Sequence, residues 1–373
     1  MKYYIIAGEA SGDLHASNLI AELKKLDNNA ELRGWGGDLM IEQGVNVVKH
    51  IKELAFMGFV EVIQNLNTIL KNFKICKKDI LDNKPDVLIL VDYPGFNLRI
   101  AKFAAKNGIK VFYYISPTVW AWHKSRIKQI KKYVSHLFVI LPFEKDFFKK
   151  HNYEVDYEGH PLLDEYQNFI STLSSENNFR IDNSLSSKPI IALLPGSRKQ
   201  EVLKMLPEMI QLSETYSEYQ FVIAGVNSLG IDFYNEILNN NKVEIIFGQT
   251  YKLLMNSYAA LVTSGTATLE TAIFNIPQVV CYKAGSFWFK IAKLLVNVKY
   301  ISLVNLILDK PAVKELIQND FTFNNLKAEF QRITKDENYR TQLFENYKLL
   351  SEKLGGSGAS KRTAKLMYKY LTQ

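Results

Sequence analysis

Short apolar runs rich in Val, Ile, Leu, Phe and Tyr alternate along the chain with longer stretches whose apolar residues recur every three or four positions. The first pattern predicts strands buried on both faces, the second helices lying on them. In the first half Tyr3–Ala7, Asp86–Val91, Lys110–Ile115 and Leu137–Leu141 read as strands, and Asp13–Leu26, Phe59–Leu81, Asn97–Lys106 and Lys124–Tyr133 as helices. From Gln167 to Lys188 the sequence turns polar, with Ser171, Thr172, Ser174, Ser175, Asn177, Asn178, Asn183, Ser184, Ser186 and Ser187, which predicts a linker. The alternation then restarts, with strands at Ile190–Leu194, Phe221–Ala224, Val243–Phe247, Ala259–Val262 and Gln278–Tyr282. Helices at Glu201–Tyr216, Asp232–Asn239, Tyr251–Tyr258 and Ala267–Phe274 separate them. The tail from Asn324 to Gln373 is helical in pattern, long enough to pack back on the first domain or against another subunit.

The expectation is an α/β protein with two doubly wound, Rossmann-like domains facing a cleft. Its parts are 1–170, a linker at 171–188, a second domain at 189–345 and a helical tail at 346–373 crossing back. At 373 residues there is room for two cores, and 47% hydrophobic with 23% charged residues excludes wholesale disorder. The net charge of +8 favours anionic partners: phosphates, nucleic acid or an acidic membrane surface. Cys76 and Cys281 lie far apart without metal-ligand spacing, as in a reduced cytoplasmic protein with inert thiols. Tyr3–Ala7 is too short, and Glu9 and Asp13 too acidic, for a signal peptide, and no run has the length of a membrane span.

Four turns at strand ends carry candidate chemistry. Ala259–Val262 feeds through Thr263–Thr266 into a helix bearing Glu270, so its N-terminus is either a phosphate site or an ordinary Ser/Thr-capped helix start. Tyr3–Ala7 enters Gly8-Glu9-Ala10-Ser11-Gly12-Asp13, which has neither the dinucleotide Gly-x-Gly-x-x-Gly nor a P-loop Gly-Lys-Ser/Thr, so NAD and ATP are disfavoured. Asp92 ends a central strand before Tyr93-Pro94-Gly95-Phe96-Asn97, either as a general base in the cleft or as an acid holding its own turn. Ile190–Leu194 enters Pro195-Gly196-Ser197-Arg198, where Ser197, the backbone and the Arg198 fork suit a phosphoryl group; with Ser264-Gly265-Thr266 this makes a two-point diphosphate cradle. No Asp-x-Asp is present to hold a diphosphate through a metal. Trp120 and Trp122 read as a ligand wall or as core, and His123 and His160 lack metal partners at sensible spacing. Leu354-Gly-Gly-Ser-Gly-Ala-Ser-Lys361 follows a helix rather than a strand and reads as a helix–helix turn.

These turns, with Met57-Gly58, Pro85-Asp86, Ser116-Pro117-Thr118-Val119-Trp120-Ala121-Trp122 and Ser302-Leu303-Val304-Asn305-Leu306, stand in an order that resembles the lipid-A-disaccharide synthases over nearly the whole chain. The resemblance implies a GT-B fold with an acceptor- and membrane-facing first domain and a UDP-sugar-binding second domain. It implies transfer of 2,3-diacylglucosamine from its UDP donor to 2,3-diacylglucosamine 1-phosphate, giving a β-1,6 disaccharide and UDP by inversion, without cofactor or metal. Asp92 matches the family's essential Asp, Arg198 the donor-site Arg, Glu270 a ribose-gripping Glu and Asn305 a further nucleotide-site residue. Gly196, Ser197, Ser264, Gly265 and Thr266 would line the diphosphate, and Glu9, Ser11 and Gly12 the acceptor-side loop. Gly95 departs from the pattern, which has an Asp there.

Acylated substrates imply contact with an anionic membrane, hence a cytoplasmic protein peripheral on the inner membrane; nucleic acid is not expected, and a homodimer is allowed by the tail. Leu54–Val60 beside Lys71, Lys74, Lys77 and Lys78, and the run Lys124, Arg126, Lys128, Lys131 and Lys132, are the candidate contact surfaces; each also reads as a core-facing stripe with a solvated lysine face. The competing readings are another UDP-sugar enzyme of the same architecture, a peptidoglycan-type glycosyltransferase or an epimerase, and a UDP-binding regulator without turnover.

Overall fold

The structure, a computed structural model, describes residues 1–54, 66–121, 125–173, 178–239, 241–284 and 299–373. It divides into two compact units, Met1–Asp164 with Leu354–Gln373, and Glu165–Lys353. The motif Met57-Gly58, most of Leu54–Val60, and Trp122, His123 and Lys124 lie outside the described residues.

In the first unit β1 (Lys2–Ala7), β2 (Glu31–Gly36), β3 (Asn46–His50), β4 (Val87–Val91), β5 (Lys110–Tyr114), β6 (His136–Val139) and β7 (Asp156–Tyr157) form a parallel sheet in the order β3-β2-β1-β4-β5-β6-β7. Between them run α1 (Ala10–Leu26), α2 (Asp38–Glu42), α3 (Leu66–Asn83), α4 (Pro94–Lys106), α5 (Ser125–Tyr133) and α6 (Pro142–Lys149). The chain leaves this unit within α7 (Leu162–Thr172).

The second unit opens with α8 (Phe179–Asp182). Its strands β8 (Ile190–Leu194), β9 (Gln220–Gly225), β10 (Glu244–Phe247), β11 (Ser257–Thr263), β12 (Gln278–Tyr282) and β13 (Lys314–Ile317) are parallel in the order β10-β9-β8-β11-β12-β13. Its helices are α9 (Lys199–Thr215), α10 (Gly230–Leu238), α11 (Thr250–Met255), α12 (Thr266–Ile273), α13 (Leu303–Leu308), α14 (Phe323–Lys335) and α15 (Glu337–Lys353). The last helix, α16 (Ala359–Thr372), belongs to the first unit.

Side chains of a strand alternate between faces. Thus Tyr4 and Ile6 of β1 meet Phe73, Cys76 and Ile80 of α3, while Tyr3, Ile5 and Ala7 meet α1 and, from the tail, Ala364 and Met367 of α16. All five side chains of β4 are fully buried, each worth about 1.5–3 kcal/mol of transfer free energy. That two-sided burial is why β1, β4, β8 and β11 stand out in the sequence as continuous apolar runs. The outer strands β2, β3, β7 and β13 do not, because they keep exposed or half-buried positions and show no such run.

Two local differences from the sequence pattern bear on the site. Helix α1 starts at Ala10, so Ser11 and Gly12 occupy its first turn rather than the preceding loop. Helix α11 ends at Met255, and Ser257 already pairs with Ile190 of β8, one step before a register shift at Ala259. The Gly355–Gly358 segment is a helix–helix turn: Asp164 accepts from the N–H groups of Gly358, Ala359 (3.2 Å) and Ser360 (2.8 Å), so the N-terminus of α16 is already occupied by a carboxylate.

Candidate active site

In each sheet the strand order reverses at one point, and the loops leaving the two central strands there form the crevice where ligands of doubly wound sheets bind. In the first unit that point is β1/β4, with Ala7 paired to Val91, so Gly8 and Asp92 leave the sheet side by side. In the second it is β8/β11, with Leu194 paired to Val262, which sets Pro195–Arg198 beside Thr263–Thr266.

Asp92 (φ 45°) and Tyr93 (φ 49°) are both left-handed, a conformation that costs non-glycine residues about 1–3 kcal/mol each. The surrounding bonds hold it. The Asp92 N–H donates to Tyr114 O at 3.0 Å, and Asp92 O accepts from Tyr113 Oη at 2.6 Å and Asn97 Nδ2 at 2.8 Å. The turn throws the Tyr93 ring onto Gly8, where any Cβ would lie 2.4 Å from ring atoms, so a side chain at position 8 would displace the ring. Burial, and then the charge of Glu9, raise the Asp92 carboxyl to about 6; the Tyr93 N–H and His15 act in the opposite direction. A carboxylate with that affinity for a proton can accept one near neutral pH.

Glu9, whose charge acts on this carboxyl, and Ser11 are exposed, and Gly12 is buried against Ala7. Asp13 is structural: its carboxylate accepts from the N–H groups of Gly37 (2.6 Å), Leu39 (3.1 Å) and Met40 (3.2 Å), capping α2. Gly95 is exposed, with nothing within 4 Å of where its Cβ would stand, so the position has room for the Asp of the family pattern but offers no second carboxylate. His160 is also structural. Burial lowers it to about 3, so it stays neutral, and its Nδ1 accepts from Leu162 N at 3.2 Å at the start of α7.

In the second unit Arg198 precedes α9 with its side chain 67% exposed. The cradle holds an anion of its own chain. Glu201 accepts from Ser197 N (3.1 Å), Arg198 N (3.3 Å) and Arg198 Nη1 (3.0 Å). Gly196 (φ +113°) makes this possible, since a Cβ there would stand 2.7 Å from the Glu201 carboxylate. A donor phosphate binding these groups must therefore take them over from Glu201.

On the facing loop Gly265 and Thr266 are exposed, and Ser264 Oγ donates to Ile301 O at 2.8 Å. Glu270 lies one turn into α12 and accepts from Tyr251 Oη at 3.2 Å. Asn305 is placed differently: it is 1% exposed and its amide is bonded to Val313 N, Val313 O and Glu315. Glu315 also gathers the N–H groups of Ile301 and Ser302 and the Ser302 hydroxyl. Asn305 thus braces the 301–305 segment against which Ser264 rests, and reaches the cradle only through that segment. Tyr251, Glu201 and Glu315 escape motif reading because their partners are set by the fold.

Comparison with known proteins separates family from fold. The lipid-A-disaccharide synthetase family model matches residues 3–367. Lipid-A-disaccharide synthase of Trichlorobacter lovleyi is 36% identical over 375 residues, covering 99% of this chain and 97% of its own. The enzyme of that name from Coxiella burnetii is 36% identical over 368 residues, covering 98% and 97%. Among solved structures, UDP-GlcNAc 2-epimerase from Neisseria meningitidis bound to UDP-GlcNAc superposes with a TM-score of 0.72, covering 99% of this chain and 100% of its own. At 15% identity that likeness establishes the shared two-domain Rossmann-like fold and nothing of the reaction. Full-length matches to the synthases, with the strand-end turns at both switch points, place the chain in the lipid-A-disaccharide synthetase family.

Proposed function

We propose that this glycosyltransferase uses UDP-2,3-diacylglucosamine as donor and 2,3-diacylglucosamine 1-phosphate as acceptor, with Asp92 as the general base. Asp92 takes the proton of the acceptor 6-hydroxyl as its oxygen attacks the anomeric carbon, the bond to the UDP phosphate breaks, and configuration inverts in one displacement. Arg198, the Ser197 and Arg198 N–H groups, and the α12 start at Gly265 and Thr266 take the charge that develops on the leaving diphosphate. Glu270 holds the ribose. Glu9, Ser11 and Gly12 line the acceptor side. The observation that carries this reading is Asp92 itself: an acid at the β1/β4 switch point, locked in a strained turn, with its carboxyl raised to about 6.

No helix among the described residues is long and apolar enough to cross a membrane. Acylated substrates call for a surface that reaches them, and Leu70, 50% exposed on α3 beside exposed Lys71, Lys74 and Lys78, suits peripheral binding to anionic lipid of the inner membrane. Co-sedimentation with anionic but not neutral vesicles at low salt tests this, and equal sedimentation with both contradicts it. For the reaction, UDP release that needs the acylated 1-phosphate acceptor supports the assignment. Turnover of UDP-sugar without an acceptor would instead indicate an epimerase or hydrolase.

A further inference from the structure

We infer that Tyr251 is a positioning residue for donor binding, fixing the Glu270 carboxylate that reads the ribose; the inference rests on the ribose role of Glu270. Tyr251 lies in the first turn of α11, and its hydroxyl is placed between two acids, 3.2 Å from Glu270 Oε1 and 3.4 Å from Glu165 Oε2. Its ring is wedged among aromatics: Phe169 meets it edge-on at 5.4 Å and Phe274 lies against it at 5.1 Å. Phe274 is in turn met edge-on by Tyr166 at 5.0 Å and Phe169 at 5.8 Å. Phe274 also terminates α12, the helix that carries Glu270. The nest therefore fixes the end of that helix, while the hydroxyl fixes the carboxylate in its middle.

Burial and the two carboxylates push the Tyr251 hydroxyl well above its ordinary value, so it remains a neutral donor at any physiological pH. A glutamate has three rotatable side-chain bonds, and reading a vicinal diol requires its carboxylate in one orientation. A rigid phenol bonded to one oxygen supplies that restraint before the ligand arrives. The single hydroxyl proton is divided between Glu270 and Glu165, so Glu165 weakens the restraint.

The test is calorimetric titration of UDP and 2′-deoxy-UDP into the full chain and its Tyr251→Phe, Glu270→Gln, double and Glu165→Ala variants, with melting temperatures alongside. Tyr251→Phe keeps the ring and should weaken UDP about three- to tenfold, as for a lost hydrogen bond, and shrink the preference for UDP over 2′-deoxy-UDP. The double variant should be no worse than Glu270→Gln alone. Glu165→Ala should leave the proton to Glu270 and enlarge the preference, an independent arm should the Phe variant not fold. If Glu270→Gln loses the preference while Tyr251→Phe and Glu165→Ala keep the wild-type value, the inference is overturned. If Glu270→Gln itself keeps the preference, the ribose role of Glu270 falls first.

Discussion

The hydroxyl of Tyr113 donates to the carbonyl oxygen of Asp92 at 2.6 Å, from the strand next to the one that Asp92 terminates. With Asn97 on the same oxygen, it holds the backbone of Asp92 in its left-handed turn through the main-chain carbonyl and not through the carboxylate. Asp92→Asn should preserve those backbone bonds and remove only the proposed base. Turnover should drop about a hundredfold or more while UDP affinity stays at the wild-type value. Near-wild-type turnover would return Asp92 to a purely structural role.

The pH profile follows from the same residue. Its carboxyl is raised to about 6 by burial and the Glu9 charge, and a base works only when deprotonated. The rate kcat/KM should therefore climb through about pH 6 and level off above it. Glu9→Gln removes one raising charge and should move the midpoint to lower pH. A rate that falls as pH rises through that window would mean Asp92 acts protonated.

Glu144 should show its effect in stability. It is 1% exposed, accepts from Leu141 N at 3.0 Å, and is raised by burial from the ordinary 4.5 to about 8 against the pull of Leu141, Ser116 and Trp120. Because the folded state holds this proton more tightly than the unfolded one, its contribution is fully present below about pH 4.5 and is lost as pH rises through about 8. Wild type should lose several degrees of melting temperature between pH 6 and 9, and Glu144→Gln, which cannot ionise, distinctly less. Parallel melting curves for the two would refute the assignment.

Arg198 is the side-chain charge proposed for the diphosphate, and truncating its exposed side chain should cost little stability. Arg198→Ala should weaken UDP about tenfold or more, the usual range for a charge-assisted bond, with melting temperature almost unchanged. Undiminished UDP binding in calorimetry would place the diphosphate elsewhere.

Much of this was legible in the chain because central strands and strand-end turns have local signatures. Val87–Val91 and Ala259–Val262 are apolar on both faces, and the small residues after them announce a turn into a helix. What was not legible depends on side-chain partners that only the folded backbone sets, whether near or far in sequence. Tyr251 meets Glu165 across 86 positions, and Asn305, which the family pattern links to the nucleotide, spends its amide on Val313 and Glu315. Glu201 could be placed on its helix, but its occupation of the Ser197–Arg198 cradle depends on the left-handed turn at Gly196. Edge strands such as β13, buried on one side only, give no continuous apolar run to read.

The proposed reaction is sugar transfer between two acylated glucosamines with Asp92 as general base. Mass spectrometry of the product made by purified wild type and Asp92→Asn from UDP-2,3-diacylglucosamine and 2,3-diacylglucosamine 1-phosphate tests it most directly. The account predicts a β-1,6-linked tetraacyl disaccharide 1-phosphate with stoichiometric UDP from wild type, and almost none from the variant. A wild-type reaction that yields free sugar, an epimerised donor or no product would contradict it.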